Sequence, residues 1–148
     1  MQKGKYLEAQ IDKVIQTAEK LGYHGHKNHP QRLFNGEYIG GEPYDYDLFL
    51  PGYHAAFDAK ECLYDKWQIR SKDIKQAYNL LRCKNAGLDA FFLILFEGKK
   101  LKKIPVSVVI ERLQAGKRTI YESDGEEWDI AGRINALARV RRGGKDET

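Results

Sequence analysis

Cys62 and Cys83 are the two cysteines in 148 residues, too few for a disulfide framework or a paired-cysteine zinc motif, and they read as reduced thiols. Long apolar runs are missing too. The longest uncharged one, "AFFLILF" at residues 90–96, falls far short of the roughly 20 residues that span a bilayer. The opening residues, "MQKGKYLEAQIDK", carry charge throughout and do not read as a secretory leader. No internal repeat and no low-complexity segment is present. These absences point to a cytoplasmic protein without membrane association. Charge of one sign is in modest excess: Lys plus Arg number 25 against 21 Asp plus Glu, a net +4. That balance is compatible with a polyanionic partner such as nucleic acid but does not require one.

What is present is a chain long enough for one domain with its own core, expected over residues 1–140, with "RRGGKDET" at 141–148 as a disordered tail. Residues 2–21 carry Leu7, Ile11, Val14, Ile15, Ala18 and Leu21 at helical spacing, closed by Gly22. "YHGHKNHPQR", residues 23–32, reads as a polar loop, and residues 33–42 leave room for a short strand between glycines. Two strands then meet at Pro51-Gly52. "SKDIKQAYNLLRCKNAG", residues 71–87, reads as a helix with Ser71 as N-cap and Gly87 at its end. "DAFFLILF" is apolar on both faces, as a buried interior strand requires. "IPVSVVIERLQAG" fits a helix with Pro105 near its first turn. A strand or loop at residues 119–121 and a last helix near 128–140 complete an α/β domain, a mixed sheet flanked by helices.

The informative stretch is "PYDYDLFLPGYHAAFDAKEC", residues 43–62. With the turn centred on Pro51-Gly52, facing residues have numbers that sum to 103, so Asp45 faces Asp58. Directly opposed residues share a sheet face with Cβ atoms about 4.5–5.5 Å apart. Asp47 and Lys60 fall on that face as well, because strand side chains alternate. Opposed like charges destabilise a sheet. Two carboxylates held there need a cation or a shared proton, and oxygen ligands at this spacing suit Mg²⁺ or Mn²⁺. The plainer alternative is a surface hairpin whose acids favour the turn and whose Lys60 is a solvated partner.

An Asp followed thirteen residues later by acid-x-Lys resembles the PD-(D/E)xK nuclease superfamily. "DYDLFLPGYHAAFDAKEC" is similar to the corresponding segment of RecU-type Holliday-junction resolvases, and its acid spacing to that of the archaeal Hjc resolvases. "GKYLEAQI" resembles the family's first helix, with Glu8 as its acid, and "DIKQAYNLLRCKNAGLDAFFLILF" its Gln-bearing helix and following strand, with Gln76 at the matching place. About residues 4–120 are covered. Two departures stand out. Asp58 replaces the usual Glu, and the long basic N-terminal arm of RecU has no counterpart, which tilts the likeness toward a compact Hjc-like or phage-encoded resolvase.

The resemblance implies a restriction-endonuclease-like fold and Mg²⁺- or Mn²⁺-dependent hydrolysis of a DNA phosphodiester. Asp45, Asp58 and the backbone carbonyl of Ala59 would hold the metal. Glu8 would be a further ligand or a water-mediated contact, its rival role being an exposed helix acid. Lys60 would orient the attacking water or stabilise developing charge. Gln76 would hydrogen-bond Lys60 or a phosphate. Branched DNA, a four-way junction cut twice symmetrically, implies a homodimer. Beside such a site the loop residues Lys27, His29 and Arg32 would contact phosphates, as would Lys66, Arg70 and Lys72, with Trp67 tucked into the core. His24, His26 and His29 offer a weaker zinc alternative. Other nucleases of this fold, and a non-catalytic DNA-binding module, remain open.

Overall fold

The computed structural model describes residues 5–27, 31–32, 38–40 and 45–146. The first helix, α1 (Lys5–Lys20), buries Leu7, Ile11 and Ala18 on the stripe that helical spacing predicts. Strand β1 (His24–Lys27) then returns along the sheet, where the sequence suggests a polar loop. It pairs antiparallel with β4 (Tyr46–Leu50), His24 opposite Phe49 and Lys27 opposite Tyr46. As an edge strand with one solvated face it needs no apolar alternation, which is why its sequence hides it. Gly25 is its buried residue. A side chain there would press on Ile15 at 3.0 Å and Leu48 at 3.2 Å, so glycine lets α1 lie close on the sheet.

Two short strands, β2 (Gln31–Arg32) and β3 (Tyr38–Gly40), pair with each other. The hairpin follows as β4 and β5 (Tyr53–Cys62), with Leu50 opposite Tyr53, Leu48 opposite Ala55 and Tyr46 opposite Phe57. Every pair sums to 103, the register expected. Gly52 takes the left-handed φ of +71° that the turn requires.

Strand β6 (Lys66–Gln68) pairs with β9 (Thr119–Tyr121), so residues 119–121 form a strand and not a loop. Helix α2 (Ser71–Asn85) follows β6. Its flanking residue is Arg70 rather than the expected Ser71. The Arg70 N–H donates to Asp73 Oδ2 at 2.9 Å, so the acid three residues in satisfies a backbone donor at the helix start. Strand β7 (Asp89–Phe96) lies parallel to β5, with Asp58 opposite Phe92 and Lys60 opposite Ile94. Strand β8 (Lys100–Pro105) runs antiparallel to β7 on the other edge. Its lysines conceal it in the sequence, which suggests no element there. Helix α3 (Val106–Gln114) begins directly after Pro105. Helix α4 (Ile130–Asp146) continues past 140 into the expected tail. The two glycines at 143 and 144 weaken a helix without the hard block that proline imposes.

The main sheet therefore runs β1-β4-β5-β7-β8, mixed, with helices on both faces. This is the expected restriction-endonuclease-like α/β architecture. Odd-numbered Phe91, Leu93 and Leu95 of β7 pack with residues of α1 and α4, and even-numbered Phe92, Ile94 and Phe96 with those of α2 and α3. Both faces are dry, hence the unbroken apolar run. Phe91 is fully buried and stacks on Phe57 with ring centres 4.8 Å apart. Phe91→Ala should cost about 3–5 kcal/mol. Thermal melting would show it as a midpoint lowered by roughly 10 °C. An unchanged midpoint would mean this layer is not the core. No helix among the described residues is long and apolar enough to cross a membrane.

Candidate active site

The hairpin ladder ends at Tyr46 and Phe57, and side chains take over from there. The Asp45 N–H donates to Asp58 Oδ1 at 2.6 Å, and the Ala59 N–H donates to Asp45 Oδ2 at 3.2 Å. Each acid thus accepts a backbone donor from the other's strand, which locks the two carboxylates side by side. Asp58 is completely buried, and its Oδ2 has no hydrogen-bond partner among the described residues. Burial is the main reason its carboxyl is pushed up to about 7, with the neighbouring Asp45 charge second; the Asp45 N–H and Lys60 pull the other way. Asp45 is raised as well, chiefly by burial and against the pull of the Ala59 N–H, Lys60 and Lys27.

Two residues beyond Asp58, Lys60 projects from the same face toward α2. Its Nζ lies 3.0 Å from Gln76 Oε1 and 3.0 Å from Asp73 Oδ1. Asp73 and Gln76 sit three residues apart and so share one helix face. Asp73 is buried, and its two oxygens divide the work: one holds the lysine, the other the Arg70 N–H at the helix start. An ammonium bonded on two sides keeps a fixed position beside the carboxylate pair.

The structure brings Asp45, Asp58, Lys60 and Gln76 together as expected, and adds Asp73, which sequence reasoning missed. Its signal is the acid at the third position of α2, one turn before Gln76. Glu8 belongs to α1, which packs on the other face of the sheet, and pairs with Lys27 at 3.2 Å. Its charge still reaches Asp45, whose carboxyl it raises slightly. Asp47 faces His24 at 3.7 Å, with Lys27 over the ring of Tyr46.

Of the expected phosphate contacts, Lys66, Arg70 and Lys72 line one cavity of about 370 Å³ whose wall also includes Lys60. Trp67 is buried as expected and packs on Phe92 with ring centres 5.1 Å apart. His29 lies outside the described residues, and for Arg32 the backbone alone is described. His24 and His26 stack with ring centres 6.1 Å apart. Among the described residues no group of three or more His, Cys, Asp and Glu is arranged to hold a metal.

Solved structures share this fold. Archaeoglobus fulgidus Hjc, a Holliday junction resolvase from an archaeal hyperthermophile, is similar to this chain with a TM-score of 0.52 over 83% of this chain and 96% of that one. This chain has the fold of Hjc. At 18% identity the likeness is one of fold. No family model and no curated protein matches the chain. The Hjc-like sheet accounts for the arrangement of the site: an antiparallel hairpin brings the acids together, and the parallel step from β5 to β7 lays α2 over Lys60.

Proposed function

We propose that this chain is a metal-dependent endodeoxyribonuclease that resolves four-way DNA junctions as a homodimer, acting in the cytoplasm. The observation that supports the reading best is the buried Asp45–Asp58 pair beside a lysine fixed by Asp73 and Gln76, in a sheet with the fold of Hjc. The donor set fits a hard divalent cation such as Mg²⁺ or Mn²⁺. The carboxylates are adjacent, both hold protons more tightly than usual, and the unpartnered Asp58 Oδ2 is a buried acceptor in want of a cation. Asp45, Asp58 and the Ala59 carbonyl are the proposed ligands, with Glu8 reaching the same ion through water.

When bound, the cation supplies Lewis acidity, neutralising phosphate charge and acidifying the attacking water. The chain's own residues do the remainder. Asp45 and Asp58 set where the reacting phosphate rests. Lys60, held by Gln76 and Asp73, presents a fixed ammonium to the charge that develops on the phosphoryl oxygens. Lys66, Arg70 and Lys72 receive the neighbouring phosphates along the cavity wall and fix the DNA register. Two such sites on a twofold dimer give paired symmetric cuts.

A labelled immobile junction and a linear duplex of the same sequence, incubated with Mg²⁺, Mn²⁺ or EDTA, test the reading. Paired nicks on the junction, absent with EDTA, are expected. Equal cutting of both substrates would remove the junction specificity, and tight junction binding without cleavage under any metal would leave a DNA-binding module instead.

A further inference from the structure

Between β5 and β6 the chain turns through residues 63–65, and this turn places two large apolar side chains in solvent. Leu63 is 66% exposed and Tyr64 68%. Neither is needed to cover the core. The turn is nonetheless tightly built. The Glu97 N–H donates to the Cys62 carbonyl at 3.0 Å, and the Glu122 N–H donates to the Asp65 carbonyl at 2.9 Å. The Cys62 thiol lies 3.5 Å from the Tyr64 carbonyl. Both ends are pinned, so the exposed pair stands on a fixed base.

Leu63 and Tyr64 rim the same cavity that Lys60, Lys66, Arg70 and Lys72 line. Glu61 and Asp73 also contribute to its wall; the Lys60–Asp73 pair at 3.0 Å cancels, which leaves Lys66, Arg70 and Lys72 against Glu61 and a net positive lining. A pinned aromatic and aliphatic pair at the mouth of a cationic cavity matches an anionic ligand with a flat apolar face. A nucleobase with its flanking phosphates is such a ligand, since stacking on an aromatic ring is sequence-tolerant and lysine or arginine takes the phosphates.

We propose that residues 63–65 form a wedge in which Leu63 and Tyr64 hold a nucleobase unstacked at a DNA branch point, while Lys66, Arg70 and Lys72 take its neighbouring phosphates. The inference rests on the proposed junction-cleaving function and deepens it by naming what distinguishes branched from continuous DNA. In an intact duplex every base is stacked, and extruding one costs free energy. At a branch the stacking is already interrupted, so an apolar wedge gains there what it cannot gain on a linear helix.

The test measures affinity for an immobile four-way junction and for a linear duplex of the same sequence, in EDTA so that no cutting occurs. Wild type, the Leu63→Ser/Tyr64→Ala double variant and Tyr64→Phe are compared. The ratio of junction to duplex affinity should fall about tenfold in the double variant, as loss of one base–aromatic stack predicts, and be retained in Tyr64→Phe. A double variant with the wild-type ratio overturns the wedge while leaving the resolvase reading intact. Wild-type protein with no junction preference overturns both together. If the double variant keeps its preference but sediments as a smaller species than wild type, the exposed pair belongs to an interface with a second copy, and the wedge is again overturned.

Discussion

Asp58→Asn is expected to lower junction cleavage by on the order of 10³-fold or more, and also to make the metal-free protein more stable above neutral pH. The first effect follows from removing one of the two adjacent carboxylates proposed to hold the cation at the reacting phosphate. The second follows from burial. The Asp58 carboxyl titrates at about 7 in the folded protein against 3.8 for an ordinary aspartate, so the folded protein binds this proton more tightly than the unfolded chain. A raised value contributes stability that is fully present below the unfolded value and is lost as pH rises through the folded one. Metal-free wild type should therefore lose stability between about pH 4 and about pH 7, by on the order of a few kcal/mol. Asp45, raised in the same direction, adds to the slope. Melting in EDTA at pH 5 and pH 8 checks this: Asp58→Asn should show the shallower dependence and the higher midpoint at pH 8. A wild type as stable at pH 8 as at pH 5, relative to the variant, would show that the carboxyl is not desolvated. Divalent cation should restore wild type at pH 8, because whatever binds the folded state alone stabilises it.

Lys60→Ala is expected to do two separable things. Cleavage should fall by about 10²–10³-fold, the usual consequence of deleting one preorganised group that meets developing charge. Stability should fall as well, because Asp73 keeps 3% side-chain exposure and would be left as a buried charge without its ion partner. Breaking one side of such a pair typically costs about 3–5 kcal/mol. The Lys60→Ala/Asp73→Asn double variant removes both charges. The substituted amide retains an oxygen able to accept the Arg70 N–H, so the start of α2 survives. The double variant should regain much of the lost stability and none of the lost activity. Recovery of cleavage along with stability would mean that Lys60 serves the fold and takes no part in the reaction. Gln76→Ala, which loosens the same ammonium without stranding a charge, should reduce cleavage more mildly and leave melting nearly unchanged.

The hairpin is legible in the sequence because two independent signals agree there. Pro51-Gly52 marks the turn, and period-two alternation assigns the faces, so the opposition of Asp45 and Asp58 is arithmetic. Strand β7 is legible for a similar reason: eight residues apolar on both faces fit little else. The lysine clamp is legible in half. Gln76 comes through the family resemblance, whereas Asp73 sits in a first helical turn where acids are common for reasons of capping alone. Only the passage from β5 through β6 to α2 puts that carboxylate under Lys60, and no local pattern records such a crossing. The two edge strands escape for another reason. His24–Lys27 and Lys100–Pro105 each spend one side on solvent or lysine, and hydrophobic periodicity fades where burial is one-sided. Glu8 is legible through the resemblance alone: its helix packs on the other face of the sheet, where Glu8 pairs with Lys27 and its charge raises the Asp45 carboxyl.

If the Asp45–Asp58 pair holds a divalent cation as proposed, the most direct measurement of it is calorimetric titration of the full chain with Mn²⁺ at pH 6, in two buffers of different ionisation enthalpy. Binding should be accompanied by release of about one proton per ion, because the cation displaces the proton that the buried Asp58 still holds there. Asp58→Asn should lose the binding. Binding of equal strength in the variant, with no proton released by wild type, would place the cation elsewhere and contradict the claim.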